Sequence, residues 1–178
     1  MEFLEIFPEI ELVKEKELKE KTENIWQKAM ELGGWKQEDL FKIPFTLLIP
    51  DTDINIVEHT KAVTDVALMI VDALIVAYDN IEINRDYLIV GGLLHDVGKL
   101  LEYEYKDGAF SKSRKGNLLR HPVIGANLAT EFGLPPEIIH IIYTHSKEGE
   151  NYRRSIESII IHHSDFINFD VLKKLNNA

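Results

Sequence analysis

The stretch Gly91-Gly92-Leu93-Leu94-His95-Asp96-Val97-Gly98-Lys99 sets a histidine and an aspartate side by side at the end of an apolar, glycine-punctuated run. Read as helix, neighbouring residues point about 100° apart, so a surface helix exposes only one of the two comfortably. The residues from Tyr87 to Leu94 are apolar on nearly every side, which marks the helix as buried. A carboxylate and an imidazole buried together cost several kcal/mol unless something pairs them. A metal cation is the partner that suits both. Gly91 and Gly92 each cost about 1 kcal/mol against alanine inside a helix, so they point to close approach of a neighbouring helix rather than to chemistry.

With 178 residues, 45% hydrophobic and 28% charged, the chain is expected to fold as one soluble domain over residues 1–178. Residues 1–50 read as an N-terminal helical extension and connector, and 54–172 as the core. No apolar run reaches the roughly eighteen residues of a membrane span. The opening segment mixes Glu2, Glu5, Glu9 and Glu11 with apolar residues, unlike a signal peptide. The absence of cysteine excludes disulfides and thiolate ligands, leaves His, Asp and Glu as the coordinating set, and fits a cytoplasmic protein. A net charge of −10 argues against a broad surface for long nucleic acid, because Lys and Arg neutralising phosphates dominate such binding. Against that acidic background, Lys112, Arg114, Lys115 and Arg120 form a basic island. It is either a local phosphate trap or a solvated loop.

Periodicity predicts helix almost throughout, and hence an all-α fold of helix hairpins closing around a centre. Pro8 and Gly33-Gly34 bound a first amphipathic helix. Residues 35–53 are a connector, in which Pro44 and Pro50 flank the apolar run Phe45 to Ile49. Asp53 is the expected N-cap of a long helix through about Ala77, and Asn84 that of the buried helix carrying His95 and Asp96. Tyr103 to Leu119 reads as a polar loop. Further helices are expected from His121-Pro122 to before Gly133, from Pro135-Pro136 to near His145, and from Ser155 to about Leu175.

Those helices aim polar residues inward. His59 shares a stripe with Val63, Val66 and Ile70; His121 with Ile124, Gly125, Leu128 and Phe132; His145 with Ile138, Ile141 and Ile142; Asp165 with Ser158, Ile161, His162 and Phe169. A lone inward histidine is more often a hydrogen-bonded core residue than a ligand, but convergence on one polyvalent site explains the whole set at once. His162, one turn before Asp165, could orient that carboxylate. His140 and His163 fall off these faces, and Asp170 is the lesser alternative to Asp165.

The order His59, His95-Asp96, Asp165, with the HDxGK form at residues 95–99, resembles the HD-domain superfamily of metal-dependent phosphohydrolases over about residues 54–172. The resemblance implies an HD-domain helical bundle, here with an extra N-terminal helix, in which His59, His95, Asp96 and Asp165 hold one metal. His121 and His145 make the chain look like the binuclear branch of that superfamily, with Asp96 bridging two ions. The stretch from Arg120 to Ser146 is similar to that of binuclear relatives, including dinucleoside-tetraphosphate hydrolases and an RNA-degrading HD enzyme. The Gly-Tyr-Pro signature of cyclic-di-GMP phosphodiesterases is absent after His145.

The expected chemistry is hydrolysis of a small phosphorylated, nucleotide-type substrate, a phosphomonoester, phosphoanhydride or phosphodiester, by a metal-activated water. Nitrogen and oxygen ligands without sulfur suit divalent Fe, Mn, Co, Ni or Zn, two per chain. Asp96 and Lys99 are the expected catalytic residues, and Lys99, Arg114 and Lys115 the expected substrate contacts. Lys99 has a plain alternative as a cation at a helix C-terminus. A nuclease, a cyclic-nucleotide phosphodiesterase and a non-catalytic metal-holding sensor are the competing readings, and the oligomeric state is left open.

Overall fold

A computed structural model describes residues 3–176. Its elements run α1 (Phe3–Ile6), a 3-10 turn (Pro8–Leu12), α2 (Lys16–Gly33), a second 3-10 turn (Gln37–Phe41), α3 (Ile56–Ala77), α4 (Arg85–Leu94) and α5 (Lys99–Glu102). A hairpin of β1 (Tyr103–Lys106) and β2 (Ala109–Lys112) follows. Then come α6 (His121–Glu131), α7 (Pro136–Thr144), a third 3-10 turn (Lys147–Gly149) and α8 (Ile156–Asn176). The fold is helical as expected, and among the described residues no helix is long and apolar enough to cross a membrane.

Helix α4 is the axis. It packs against α2, α3, α7 and α8, and every residue from Leu88 to Leu94 is buried. Gly91 and Gly92 make this possible: a Cβ on Gly91 would lie 2.7 Å from the Ile141 side chain of α7, and one on Gly92 2.8 Å from Thr64 Oγ1 of α3. The helix ends sooner than expected. His95 is its C-terminal cap, and Asp96 stands in the turn leading to α5. The reason is local: His95 Nδ1 donates to the Gly92 carbonyl at 2.6 Å, the acceptor that the Asp96 amide would need to continue the helix. Gly98 completes the turn, where the α6 backbone crosses so closely that a Cβ would sit 2.1 Å from the His121 carbonyl.

The N-terminal extension is interrupted rather than continuous. The amides of Lys14 and Glu15 both donate to Asp86 Oδ2 at 2.9 Å, so the chain turns at the N-terminus of α4 before α2 begins. The extension then backs the turn that carries Asp96. Trp26 Nε1–H donates to the Leu93 carbonyl (3.0 Å) and Trp35 Nε1–H to the Leu100 carbonyl (2.6 Å), partnering backbone acceptors that the broken helix leaves over. Phe7 packs on Trp26 with ring centroids 4.8 Å apart.

Two further boundaries differ from the sequence expectation. Helix α3 is capped by Asn55 rather than Asp53: Asn55 Oδ1 accepts from the Val57 and Glu58 amides, and Glu58 Oε2 accepts from the Asn55 amide, a full capping box. The expected loop from Tyr103 onward opens with a β-hairpin, in which Tyr103 pairs with Lys112 and Lys106 with Ala109. Its two-residue turn, Asp107-Gly108, has φ of 53° and 83°, the left-handed pair that an Asp-Gly hairpin turn adopts. The aromatic alternation around that dipeptide was the available signal.

Gly98→Ala tests the crossing. Overpacking against rigid backbone is expected to cost about 3 kcal/mol, read as a lowered denaturation midpoint, and an unchanged midpoint would mean the α5–α6 approach is slack.

Candidate metal centre

Six residues from five separate places in the fold meet beside the α4–α5 turn. His59 lies in the first turn of α3, His121 opens α6, His145 follows α7, and Asp165 lies midway along α8. His59, His95, Asp96, His121 and His145 are all buried, and they form two groups of metal-ligand geometry that share Asp96. Asp96 Oδ2 is 3.5 Å from His59 Nε2 and 3.4 Å from His95 Nε2. Its other oxygen, Oδ1, is 3.2 Å from His121 Nε2 and 3.7 Å from His145 Nε2. Asp165 Oδ1 joins the first group at 3.0 Å from His59 Nε2.

The donor set fits a cation because of which ring nitrogens carry hydrogen. His95 Nδ1 donates to the Gly92 carbonyl and His145 Nδ1 to the Ile142 carbonyl (2.7 Å). His121 Nδ1 donates to Glu102 Oε2 at 2.8 Å. In the neutral ring each of these leaves Nε2 as a bare lone pair. Yet His121 Nε2 and His145 Nε2 face one another at 3.2 Å, and both face a carboxylate oxygen. His95 Nε2 and Asp96 Oδ1 are buried without any hydrogen-bond partner. Lone pairs converging on lone pairs repel, and a cation among them turns the arrangement favourable.

The electrostatics agree. Against the burial that opposes ionisation, the Lys99 ammonium and the His95 ring hold Asp96 well below the usual carboxylate range. Asp165 is lowered too, by its bond to His59 overcoming burial. Burial lowers His59 and pushes His121 down to about 4. His95 is raised, because the Asp96 carboxylate outweighs the burial that disfavours its charge.

Lys99 is the first residue of the single-turn α5, and its ammonium is turned to a carboxylate and a connector carbonyl rather than to the carbonyl end of a helix. Its Nζ bonds Asp96 Oδ2 and the Phe45 carbonyl, each at 2.5 Å. It also lines a cavity of about 270 Å³ that opens onto His59, His121 and Asp165. Lys112, Arg120 and Lys147 line the cavity, together with Phe45, Leu47, Leu48, Phe166 and Phe169. Arg114 and Lys115 are exposed and are not among the lining residues. His162 does not orient Asp165; its Nδ1 donates to the His145 carbonyl at 2.5 Å. His140 Nε2 accepts from the Ser155 amide, while His163 and Asp170 face solvent. Sequence reasoning missed Glu102, which is fully buried against His121. Its only sequence signal is an acid among Leu100, Leu101 and Tyr103.

A helical domain that gathers a histidine, a His-Asp pair and a later aspartate defines a class of metal-holding domain. The HD-domain family matches residues 56–168, and the chain belongs to that family. Over 113 residues it is 38% identical to the dihydroneopterin 2',3'-cyclic phosphate phosphodiesterase of Methanocaldococcus jannaschii, covering 62% of this chain and 45% of that protein. It is 33% identical over 76 residues to ribonuclease Y of Desulforudis audaxviator, 43% of this chain and 12% of that one. It is 28% identical over 156 residues to ribonuclease Y of Thermotoga petrophila, 84% of this chain and 27% of that one. The chain thus matches less than half the length of each of these relatives. No solved structure matches it.

Metal uptake should depend on pH in a definite direction. A ligating histidine must be unprotonated. His121, lowered to about 4, is already so in mild acid, whereas His95, raised above its ordinary value, must lose a proton to bind. Affinity for Mn²⁺ or Co²⁺ is therefore expected to increase with pH through and above about 6.5. Calorimetric titration should show proton release, and a pH-independent affinity across that range would contradict the His95 assignment.

Proposed function

We propose that this HD domain is a binuclear metal phosphohydrolase acting on a small phosphodiester, a cyclic phosphate above all. The observation that carries the proposal is Asp96, whose two oxygens each face a separate pair of histidine nitrogens. His59, His95, Asp96 and Asp165 would hold one divalent ion, and Asp96, His121 and His145 the other. When bound, such a pair supplies Lewis acidity and a water of lowered pKa.

The chain's own residues do the rest. Lys99 pins Asp96 Oδ2, keeps the carboxylate ionised and lines the cavity. Lys112, Arg120 and Lys147 line the wall where a phosphate oxygen would approach. Phe45, Leu47, Leu48, Phe166 and Phe169 give the lining apolar surface that suits a planar organic group. A cavity of about 270 Å³ has room for one compact molecule rather than a folded polymer. The cyclic phosphate named for the M. jannaschii relative is a substrate of that size and bond type. Cleavage of RNA ends is the second reading, favoured by the likeness to ribonuclease Y and weakened by the net charge of −10.

Purified protein loaded with Mn²⁺ or Co²⁺ is expected to hold two ions per chain by elemental analysis, and His145→Ala one. Asp96→Asn should lower kcat on the order of 10³-fold. A panel of 2',3'-cyclic AMP, bis-p-nitrophenyl phosphate, p-nitrophenyl phosphate and short RNA decides the bond type, with the diesters expected to be cleaved first. One ion per chain that survives His145→Ala would end the binuclear reading. Full occupancy with no turnover of any substrate would move the domain to the metal-holding sensor class.

A further inference from the structure

The β-hairpin and the loop after it, residues 103–120, serve no purpose in the metal site as ligands. Their geometry nonetheless converges on one buried acid. Glu102 ends α5 and has no exposed surface. Its Oε2 accepts two hydrogen bonds from His121, from the backbone amide at 2.7 Å and from ring Nδ1–H at 2.8 Å. Its Oε1 accepts from Arg120 Nη1 at 2.8 Å and lies 3.6 Å from Lys112 Nζ. The Glu102 backbone is gripped as well: its carbonyl accepts the Ser113 amide at 2.8 Å, and Ser113 Oγ–H donates to the preceding Leu101 carbonyl at 2.7 Å. Gly116 lies so close that a Cβ there would stand 2.1 Å from the Glu102 carbonyl oxygen. The loop is wrapped around this residue.

We propose that Glu102 is the positioning residue of the second ligand group, fixing His121 in its Nδ1–H form and aiming Nε2 at Asp96, with the hairpin and loop as the clamp that holds Glu102 in place. The proposal rests on the metal-site reading above for its purpose, but not for its geometry. A buried carboxylate that bonds the Nδ1–H of a metal-facing histidine sets the tautomer and raises the basicity of the opposite nitrogen. The plain rival is that Glu102 only caps α6, since Arg120 at the N-cap position provides no side-chain cap. Both bonds end on Oε2, so the roles separate by readout: a cap sets helix stability alone, whereas positioning sets the tautomer of the His121 ring. The clamp also engages two residues of the basic island: Lys112 and Arg120 balance the charge of Glu102, while Arg120 reaches across to Glu148 at 2.8 Å and ties the loop to the turn after α7.

The test uses the full chain, metal-free, with ¹⁵N-labelled histidine, and two-bond ¹H–¹⁵N correlation spectra. In the parent protein the His121 ring should show a protonated Nδ1 and a bare Nε2. In Glu102→Gln the acceptor of the His121 amide and ring becomes a neutral amide oxygen, a weaker partner than a carboxylate, and its NH₂ confronts Arg120, so the hold on Nδ1–H loosens and the His121 signals should shift toward a mixture of tautomers. Affinity for the second Co²⁺ should fall 10–100-fold, with the His59 and His95 signals and the first Co²⁺ unaffected. Unchanged His121 signals and unchanged second-ion affinity in a folded Glu102→Gln would reduce Glu102 to a helix cap. A parent His121 protonated on Nε2 would overturn the proposal outright. If Glu102→Gln does not fold, Glu102→Asp keeps the charge while withdrawing the carboxylate by one methylene. A weakened second Co²⁺ then supports positioning, and full affinity overturns it. Should the parent bind no Co²⁺ at all, the metal-site reading fails while the tautomer spectra still decide the role of Glu102.

Discussion

The structure depends on the crowding of histidine lone pairs around one buried carboxylate. Asp96 offers an oxygen to each of two histidine pairs, and the second Nε2 pair stands 3.2 Å apart. Such an arrangement is unfavourable as bare protein, because lone pairs face lone pairs in a medium with little screening. It persists because the other nitrogens of His95, His121 and His145 are tied to acceptors, and because Lys99 balances the Asp96 charge from the side. The fold thereby holds the ligands apart from alternative pairings and keeps them available to a cation.

Much of the rest can be read as support for that crowding. The turn after α4 exists because His95 takes the carbonyl that would have continued the helix. Tryptophans of the N-terminal extension then bond the carbonyls of Leu93 and Leu100 on either side of the turn. The extension, which lies outside the family match at residues 56–168, is in this sense a backing plate for the site. The hairpin and its loop close around Glu102, and Phe110 of the hairpin packs beside Trp35 of the extension.

The six proposed ligands were legible in the sequence because helical periodicity tells which way a side chain faces, and an inward histidine or aspartate needs a reason. The bend at His95 was not legible, since an apolar run with glycines reads as uninterrupted helix until a side chain competes for the backbone carbonyl. The split of the first helix was hidden for a similar reason: the Asp86 carboxylate that captures the Lys14 and Glu15 amides lies far along the chain. The hairpin did carry a signal, in Asp107-Gly108, but a segment this polar reads as loop. Among basic residues, charge alone could not separate Lys112 and Arg120, which reach the cavity, from Arg114 and Lys115, which face solvent.

The sequence by itself determined the helical class, the inward faces and the His-Asp chemistry, because periodicity and residue type are local properties of the chain. Tertiary structure alone decided how those faces meet. It gave each Asp96 oxygen its own pair of nitrogens, turned Lys99 onto Asp96, and set Glu102 against His121. These are relations among residues distant in sequence, and their distances are fixed by packing rather than by spacing along the backbone.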